Sequence, residues 1–323
     1  MKRLENITYL TREDVESFNK ELFSLIQSDD DYLNRILNYV FSNTGKQVRA
    51  HMVFLSARLF GEVNHKARIT AILVQLLHTS TLIHDDVVDE ALIRRGQKTV
   101  NTLWRNKIAI LTGDYLFSKA LDIAVEKKLF DILEILAPTI AQMSMGEIIQ
   151  LKEKEKAQYS EEVYNNIIHR KTAVLISASA QAGAKSAGAS KDEQLAMRNF
   201  GHEAGMAFQI QDDILDFKAD GKFGKTNGKD LEEKKYTLPL IHALDKAPQY
   251  KSSGIIKIIE KGVSKKDKQE ILHFIEDYGG FQYARKIMHN HIKSAKSVLK
   301  TLPDNEANVA LSDLIVYFTE RNK

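Results

Sequence analysis

Two short segments of this 323-residue chain carry the same arrangement of aspartates. The segment LIHDDVVDE occupies 82–90, and IQDDILDF occupies 210–217. On a helix, the first and last aspartates of each segment share one face, whereas the middle one points about 100° away. Like charges at this spacing repel one another among apolar neighbours, and a divalent cation would remove that conflict. The six carboxylates belong to Asp85, Asp86, Asp89, Asp212, Asp213 and Asp216.

Magnesium is the cation that this donor set indicates. It prefers oxygen ligands, keeps several waters, and commonly bridges one or two carboxylates to substrate phosphates. The chain has no cysteine, which excludes disulfides, thiolate metal sites and a cysteine nucleophile. His84 adjoins the first segment, but a single adjacent histidine is more often a packing residue than a ligand. We therefore do not assign His84 as a metal ligand.

Basic residues near both segments predict a diphosphate site. Arg94 and Arg95 follow the first segment, and neighbouring guanidinium groups can hold phosphate oxygens in bidentate fashion. A GKxxR segment lies upstream, where Gly45 allows close backbone approach and Lys46 and Arg49 share a helical face. It is not a nucleotide-binding P-loop, because GxxxxGK[ST] is absent. Further donors near the second segment are Lys171, Thr172, Gln209, Lys225 and Lys235.

Helices must position these residues. The chain has only four prolines, and the long segments between them show apolar spacings of three and four residues, which predicts an all-α protein. Glycine-bearing breaks divide the pattern into about ten helices. No linker is visible, so we expect one domain over residues 1–323. Three predicted helix starts pair a hydroxyl with an acid: Thr11 with Asp14, Ser190 with Glu193, and Ser264 with Asp267.

Composition limits the partners. Hydrophobic residues make up 43% and charged residues 28% of the chain, which is typical of a protein with a large core. A formal net charge of +3 gives no support for nucleic-acid binding. The N-terminus lacks the apolar core of a signal peptide, and the most apolar stretches are interrupted well short of a bilayer span. We expect a cytoplasmic protein, for which transient membrane contact during product release remains open.

Several motifs together resemble the trans-polyprenyl diphosphate synthase family in order and spacing. They are GKQVR at 45–49, LLHTSTLIHDDVVDEALIRRG at 76–96, GDYLFSKAL at 113–121, RKTA at 170–173, and AFQIQDDILDF through GKTNGKDLEEKKYTLPL at 207–240. The resemblance implies an isoprenoid-synthase helical bundle around a deep central cavity, usually a homodimer. It also implies that the two aspartate-rich segments face each other across the cavity mouth.

The resemblance assigns roles to single residues. About two or three magnesium ions would bridge the six aspartates to an allylic diphosphate, which Arg94 would also hold. Lys171, Lys225 and Lys235 would meet the leaving diphosphate, and Thr172 and Gln209 would face the developing cation. The residues implied to hold the diphosphate of isopentenyl diphosphate are Lys46, Arg49, His78 and Arg95.

The chain departs from the family pattern in two motifs. The usual GGKRxRP appears as TGKQVRA, so that Gln47 replaces a cation, and the usual GK before xT appears as Lys234-Lys235. Because Lys46 and Arg49 are retained, we expect weaker or rearranged binding of isopentenyl diphosphate rather than loss of activity.

Residues one and two turns before the first aspartate predict the product length. Bulky aromatics there stop short products in this family, whereas this chain has Ser80 and Thr81. Leu77, with Leu73 and Val74, would form an apolar wall deeper in the cavity. We expect a product of about five or more isoprene units, an octaprenyl-like quinone side-chain precursor, with a farnesyl or geranylgeranyl product as the alternative.

Two other classes of protein remain open. A terpene cyclase of the same fold usually replaces the second DDxxD by an NSE-type ligand set, and the intact DDILD argues against it. A non-catalytic subunit should have lost several acidic or basic positions, and this chain has kept them. Whether the chain needs a small partner subunit stays open.

Overall fold

Helices account for nearly all of the structure, a computed structural model that describes residues 2–42, 45–156, 159–217 and 228–320. Within those ranges the β structure is a single hairpin of β1 (Ile93–Arg94) and β2 (Gln97–Lys98). The prediction of an all-α protein is confirmed. The helices before the hairpin are α1 (Lys2–Ile26), α2 (Asp31–Phe41), α3 (Val48–Phe60) and α4 (His65–Val88).

Eleven further α-helices and one π-helical turn follow the hairpin in the described residues. The next elements are α5 (Val100–Glu126), α6 (Phe130–Lys156), α7 (Glu161–Ile168), the π-helical turn His169–Ala173, α8 (Val174–Ser186) and α9 (Lys191–Asp216). The remaining helices are α10 (Lys229–Glu232), α11 (Leu238–Lys246), α12 (Gln249–Lys261), α13 (Lys265–Asp277), α14 (Gly280–Leu299) and α15 (Glu306–Glu320).

Two of the three predicted helix starts are confirmed. The hydroxyl of Ser264 accepts a hydrogen bond from the Asp267 amide, and the Asp267 carboxylate accepts one from the Ser264 amide, which forms a capping box. Ser190 and Glu193 make the same pair of bonds before α9. The start predicted at Thr11 is wrong, because α1 continues through it. The Thr11 hydroxyl is buried and donates to the Ile7 carbonyl one turn earlier.

The chain divides into two compact units. The first unit contains Met1–Ile140, Leu175–Gly201 and Val298–Leu314, and the second contains Ala141–Val174, His202–Ser297 and Ile315–Lys323. The expectation of one domain remains a prediction. In the first unit α4 packs along α5 and α3, with a nearly continuous run of buried side chains from Ile69 to Leu77.

In the second unit a close helix contact brings α9 against the π-helical turn. A Cβ atom added to Gly205 of α9 would lie 2.5 Å from the Cα of Ala173, so only glycine permits this approach. Apolar side chains from α7, α9, α11, α13 and α14 form the surrounding core. The turn that carries Lys171 and Thr172 is thereby held beside the last turns of α9.

In the described part of the chain one segment, Phe130–Lys154, has the length and apolar composition of a membrane span, which differs from the expectation that such stretches are too short. Only 33% of its most apolar window is buried. Core helices of water-soluble proteins have the same composition, so this is weak evidence for a membrane segment.

Candidate active site

The first aspartate-rich segment forms the end of α4. The Asp89 amide donates to the Asp85 carbonyl at 2.8 Å, so the helical turn continues through the last aspartate. Asp85 and Asp89 are partly exposed, whereas the middle residue Asp86 is only 6% exposed. Nε of Arg94 donates to Oδ1 of Asp86 at 2.6 Å. The middle carboxylate therefore points into the protein, as the helical spacing predicts.

The hairpin places the two arginines that follow this segment. Arg95 and Gly96 form its two-residue turn with φ values of 51° and 77°, the left-handed pair that such turns require. The Arg95 guanidinium lies against Gly45, where an added Cβ would be 2.5 Å from Nη1 of Arg95. Gly45 itself has a φ of 63°. A glycine is thus required there both for its backbone conformation and for this close approach.

A cationic cluster surrounds His78 in the same unit. Nη1 of Arg49 lies 3.0 Å from Nε2 of His78, and the imidazole is only 9% exposed. Burial, and then the charges of Arg49, Arg95 and Arg94, hold the pKa of His78 well below its usual value. His78 is therefore neutral and accepts from Arg49. Burial and the neighbouring Arg94 also lower the pKa of Arg95.

The structure brings together most residues that were assigned to isopentenyl diphosphate. Gly45, Arg49, His78 and Arg95 lie in one cluster, and the same cluster includes Arg94 on the Asp86 carboxylate. Lys46 is exposed just before α3. Gln47, which replaces the family's cation, uses its amide nitrogen to donate to Asn19 of α1 at 2.7 Å. Positive charge thus concentrates beside the first aspartates.

The residues assigned to product length line the packed face of α4. Ser80 is 2% exposed, and its hydroxyl donates to the Gly113 carbonyl of α5 at 2.8 Å. Leu77 is likewise buried, and the Thr81 hydroxyl donates to the His78 carbonyl at 2.9 Å. Their effect on product length stays a prediction.

His84 has protein partners in this structure. Its Nε2 lies 3.1 Å from the Ile110 carbonyl and 3.3 Å from the Asp114 carboxylate on α5. The imidazole ring lies so close to Gly113 that no side chain fits there. These contacts agree with the packing role expected for His84.

The second aspartate-rich segment forms the end of α9. Its middle residue, Asp213, is 3% exposed and accepts two hydrogen bonds. The Tyr164 hydroxyl donates to Oδ2 at 2.6 Å, and Nε2 of Gln209 donates to Oδ1 at 2.8 Å. Asp212 and Asp216 are partly exposed. Both segments therefore bury the middle carboxylate and leave the outer two accessible.

Asp230 is an acidic residue of this site that the sequence reasoning missed. Its amide donates to Oδ2 of Asp216 at 3.1 Å, and the Gly228 amide donates to the Asp216 carbonyl at 2.8 Å. Burial, followed by the charge of Asp216, raises the pKa of Asp230 to about 7. The sequence signal for Asp230 was its position within the motif GKTNGKDLEEKK, in which only lysines had been assigned roles.

Five of the predicted residues of the second unit line a cavity of about 210 Å³. Lys171, Thr172, Gln209, Asp213 and Lys235 all line it. They come from separate stretches of sequence, so their convergence is a property of the fold. Lys225 lies outside the described residues. The lining also contains residues that the sequence reasoning did not assign, among them Gln150, Tyr159, Tyr164, Asp230 and Tyr236.

Acidic partners balance the lysines of this cavity. Nζ of Lys171 donates to Oε1 of Gln150 at 3.0 Å and forms an ion pair with Glu147. Nζ of Lys235 lies 2.6 Å from Oε2 of Glu233. Burial alone would raise the pKa of Glu233, but Lys235 and Lys229 outweigh burial and lower it. Each of the two lysines therefore has an acidic partner at the cavity wall.

The donor set fits magnesium. No group of three or more acidic or histidine residues forms a metal cage in the part of the chain that the structure describes. The outer aspartates instead offer accessible carboxylates at the ends of α4 and α9. Such oxygen donors suit a cation that completes its shell with water and substrate phosphate.

Comparisons with known proteins agree with this chemistry. The family model described as "Polyprenyl synthetase" matches residues 30–275. The chain is 32% identical to the octaprenyl diphosphate synthase of Escherichia coli (strain K12) over 321 residues, which cover 99% of each chain. It is 33% identical to component 2 of the heptaprenyl diphosphate synthase of Geobacillus stearothermophilus, with 96% of each chain covered.

A solved structure supports the fold. A polyprenyl synthase from Caulobacter crescentus CB15, complexed with calcium and isoprenyl diphosphate, superposes with a TM-score of 0.93. The two sequences are 31% identical, and the match covers 99% of this chain and 98% of that one. The expected isoprenoid-synthase fold is therefore confirmed.

Proposed function

Because the chain belongs to the polyprenyl synthetase family, we propose that it is an all-trans polyprenyl diphosphate synthase. It joins an allylic diphosphate to successive molecules of isopentenyl diphosphate. The observation that carries this proposal is the cavity of the second unit, where two lysines, a threonine, a glutamine and an aspartate from separate motifs meet. Ammonium groups there suit a departing diphosphate, and neutral oxygens suit a carbocation.

Four aspartates are proposed to hold magnesium. Asp85, Asp89, Asp212 and Asp216 have partly exposed carboxylates, whereas Asp86 and Asp213 are only 6% and 3% exposed. We assign ligation to the outer pair of each segment and give the middle pair an internal role. When bound, magnesium neutralises the diphosphate and makes it a better leaving group.

The side chains act on both substrates. Lys171, Lys235 and Lys225 hold the oxygens of the leaving diphosphate while the allylic C–O bond breaks and its electron pair stays on oxygen. The alkene of isopentenyl diphosphate then supplies the electrons of the new C–C bond. Loss of a proton to the released diphosphate restores an allylic product. Thr172 and Gln209 face the allylic cation that forms when the C–O bond breaks.

The cluster around His78 is proposed to bind isopentenyl diphosphate. Arg49 and Arg95 provide guanidinium groups that match phosphate oxygens, and Lys46 adds an exposed basic side chain. Arg94 is assigned to the allylic diphosphate. A neutral His78 adds no charge, so its role is to orient Arg49 and to supply a polar contact.

A medium-to-long product and a homodimer complete the proposal. Small residues at Ser80 and Thr81, together with the octaprenyl and heptaprenyl relatives, favour the octaprenyl class over farnesyl or geranylgeranyl products. Exposed apolar residues on α5 favour a protein partner, which we take to be a second copy of the chain. These residues are Ile110, Leu111, Leu121 and Val125. The relative named as a component keeps a partner-dependent synthase as the second candidate.

The test is incorporation of labelled isopentenyl diphosphate by the purified chain with magnesium and farnesyl diphosphate. We expect a ladder of products that ends at long chains after dephosphorylation. Asp85→Ala and Asp212→Ala should each reduce turnover by at least about a hundredfold with the helical content retained. Near-normal activity of both variants would refute the metal assignment. Incorporation only after a second protein is added would favour the partner-dependent synthase.

A further inference from the structure

Three hydrogen bonds connect four side chains of the second unit. The Tyr164 hydroxyl donates to Asp213 at 2.6 Å, Gln209 donates to the other oxygen of Asp213 at 2.8 Å, and the Thr172 hydroxyl donates to Oε1 of Gln209 at 2.7 Å. All four residues line the cavity. We propose that Tyr164 and Asp213 are positioning residues that orient the Gln209 amide, so that Thr172 presents oxygen lone pairs to the allylic cation. This inference rests on the proposed function.

The Gln209 amide has one donating end and one accepting end, so the two bonds that it makes define its orientation. Its NH₂ group donates to Oδ1 of Asp213. Its carbonyl oxygen then faces Thr172, whose single hydroxyl proton is used in that bond. The lone pairs of Thr172 are what the side chain has left to offer the cavity. Successive bonds of this kind also polarise one another and enrich the terminal oxygen in electron density.

The reverse orientation of Gln209 would oppose catalysis. If the amide were flipped, its NH₂ group would occupy a lone pair of Thr172, and the hydroxyl proton would then point elsewhere. A hydroxyl dipole with its proton toward a carbocation repels the developing charge. Orientation of one amide therefore decides whether Thr172 helps or hinders ionisation, and Asp213 sets that orientation.

Burial makes this arrangement rigid. Asp213 is 3% exposed and Tyr164 is 5% exposed, so water does not compete for these bonds. Tyr164 lies on α7, Thr172 on the π-helical turn, and Gln209 and Asp213 on α9. The tight contact between Gly205 and Ala173 fixes the turn against α9. Helix packing thus supports the bond geometry.

The first experiment compares two tyrosine variants. Tyr283 is a matched control, because its hydroxyl donates to the Glu161 carboxylate at 2.9 Å within the same unit but does not line the cavity. Tyr164→Phe should lower kcat about tenfold and leave both KM values within about twofold. Tyr283→Phe should leave kcat unchanged. Equal kcat values for the two variants would overturn the inference.

The second experiment separates positioning from metal binding. In Asp213→Asn the new amide can present NH₂ to Gln209 and reverse its orientation, so we expect kcat to fall about a hundredfold. The magnesium concentration for half-maximal rate should stay unchanged, whereas Asp212→Asn should raise it. A raised magnesium requirement in Asp213→Asn would make Asp213 a ligand and overturn the inference. Wild-type protein without incorporation would instead refute the proposed function, and this inference with it.

Discussion

At the scale of single residues, the helical spacing of the aspartates predicted which of them are buried, and residue type alone did not. The spacing of the two DDxxD segments placed Asp86 and Asp213 off the shared face of the outer aspartates, and both are buried in the structure. Their partners were only partly predictable. Arg94 follows Asp86 closely in sequence, but Tyr164 reaches Asp213 across 49 positions, and no local pattern signals such a contact.

Lys234 is a residue whose backbone explains a departure from the family. It has a φ of 56°, in the left-handed region where glycine is favoured, and the family has glycine there. Its Nζ donates to the Glu260 carbonyl at 2.9 Å. Both Lys234→Gly and Lys234→Ala lose this bond, but only glycine relieves the strain. The glycine variant should therefore be about 1 kcal/mol more stable than the alanine variant in urea unfolding. Equal stabilities would show that the backbone is unstrained.

His51 should make stability depend on pH. Burial lowers its pKa to about 4 from the usual 6.5, and its Nδ1 lies 2.8 Å from the Thr11 hydroxyl oxygen. In the unfolded chain His51 binds a proton below pH 6.5, whereas in the folded chain it does so only near pH 4. The free energy of unfolding therefore falls as the pH falls through this window.

The expected loss from His51 between pH 7 and pH 5 is about 2 kcal/mol. His51→Gln keeps a polar side chain without a titrating group, so this variant should lose about that much less than the wild type over the same range. Urea unfolding of both proteins at the two pH values measures the difference. Parallel losses would place the acid sensitivity elsewhere.

At the scale of elements, the breaks between helices at glycines were predictable. A positive φ, or a close approach of another group to the backbone, requires glycine at such positions. Gly45, Gly96 and Gly188 all lie at positive φ between helices or in the hairpin turn. The start predicted at Thr11 failed because a hydroxyl can also bond back to the preceding turn inside a helix. The π-helical turn at His169–Ala173 was not predicted, since its geometry depends on α9 packing against it.

The packing of α4 on α5 should depend on the fit between His84 and Gly113. A Cβ at position 113 would clash with the imidazole ring, so Gly113→Ala should destabilise the protein by about 1–3 kcal/mol. His84→Ala removes the clashing ring, and the double variant should therefore be more stable than the sum of the single effects predicts. Urea unfolding of the four proteins measures this coupling.

Gly254 is the control for this helix contact. It lies inside α12 with nothing near its missing Cβ, so Gly254→Ala should stabilise the protein by about 1 kcal/mol through helix propensity. If Gly113→Ala also stabilised the protein, the contact between α4 and α5 would not restrict the side chain at position 113.

At the scale of the whole molecule, the reaction class was predictable and the surroundings of the charged groups were not. The aspartates, arginines and lysines stand in recognisable motifs, and the polyprenyl synthetase family was inferred from them. Their counter-charges include Glu147 beside Lys171 and Glu233 beside Lys235, and the sequence analysis assigned no role to either glutamate. Both lysines are partly exposed, and the fold supplies each of them with an acidic partner.

Product length is a property of the whole molecule. The resemblance predicts that the growing tail passes the turns of α4 before Asp85, where Ser80 has a small side chain. Ser80→Phe should therefore shorten the products made from farnesyl diphosphate and labelled isopentenyl diphosphate, because an aromatic ring fills volume that the tail would use. Ser80→Ala is the control, since it removes the hydrogen bond to the Gly113 carbonyl without adding bulk. It should keep the wild-type chain lengths. If Ser80→Phe folds and still makes the wild-type distribution, the tail takes a path away from this face of α4, and another element must set its length.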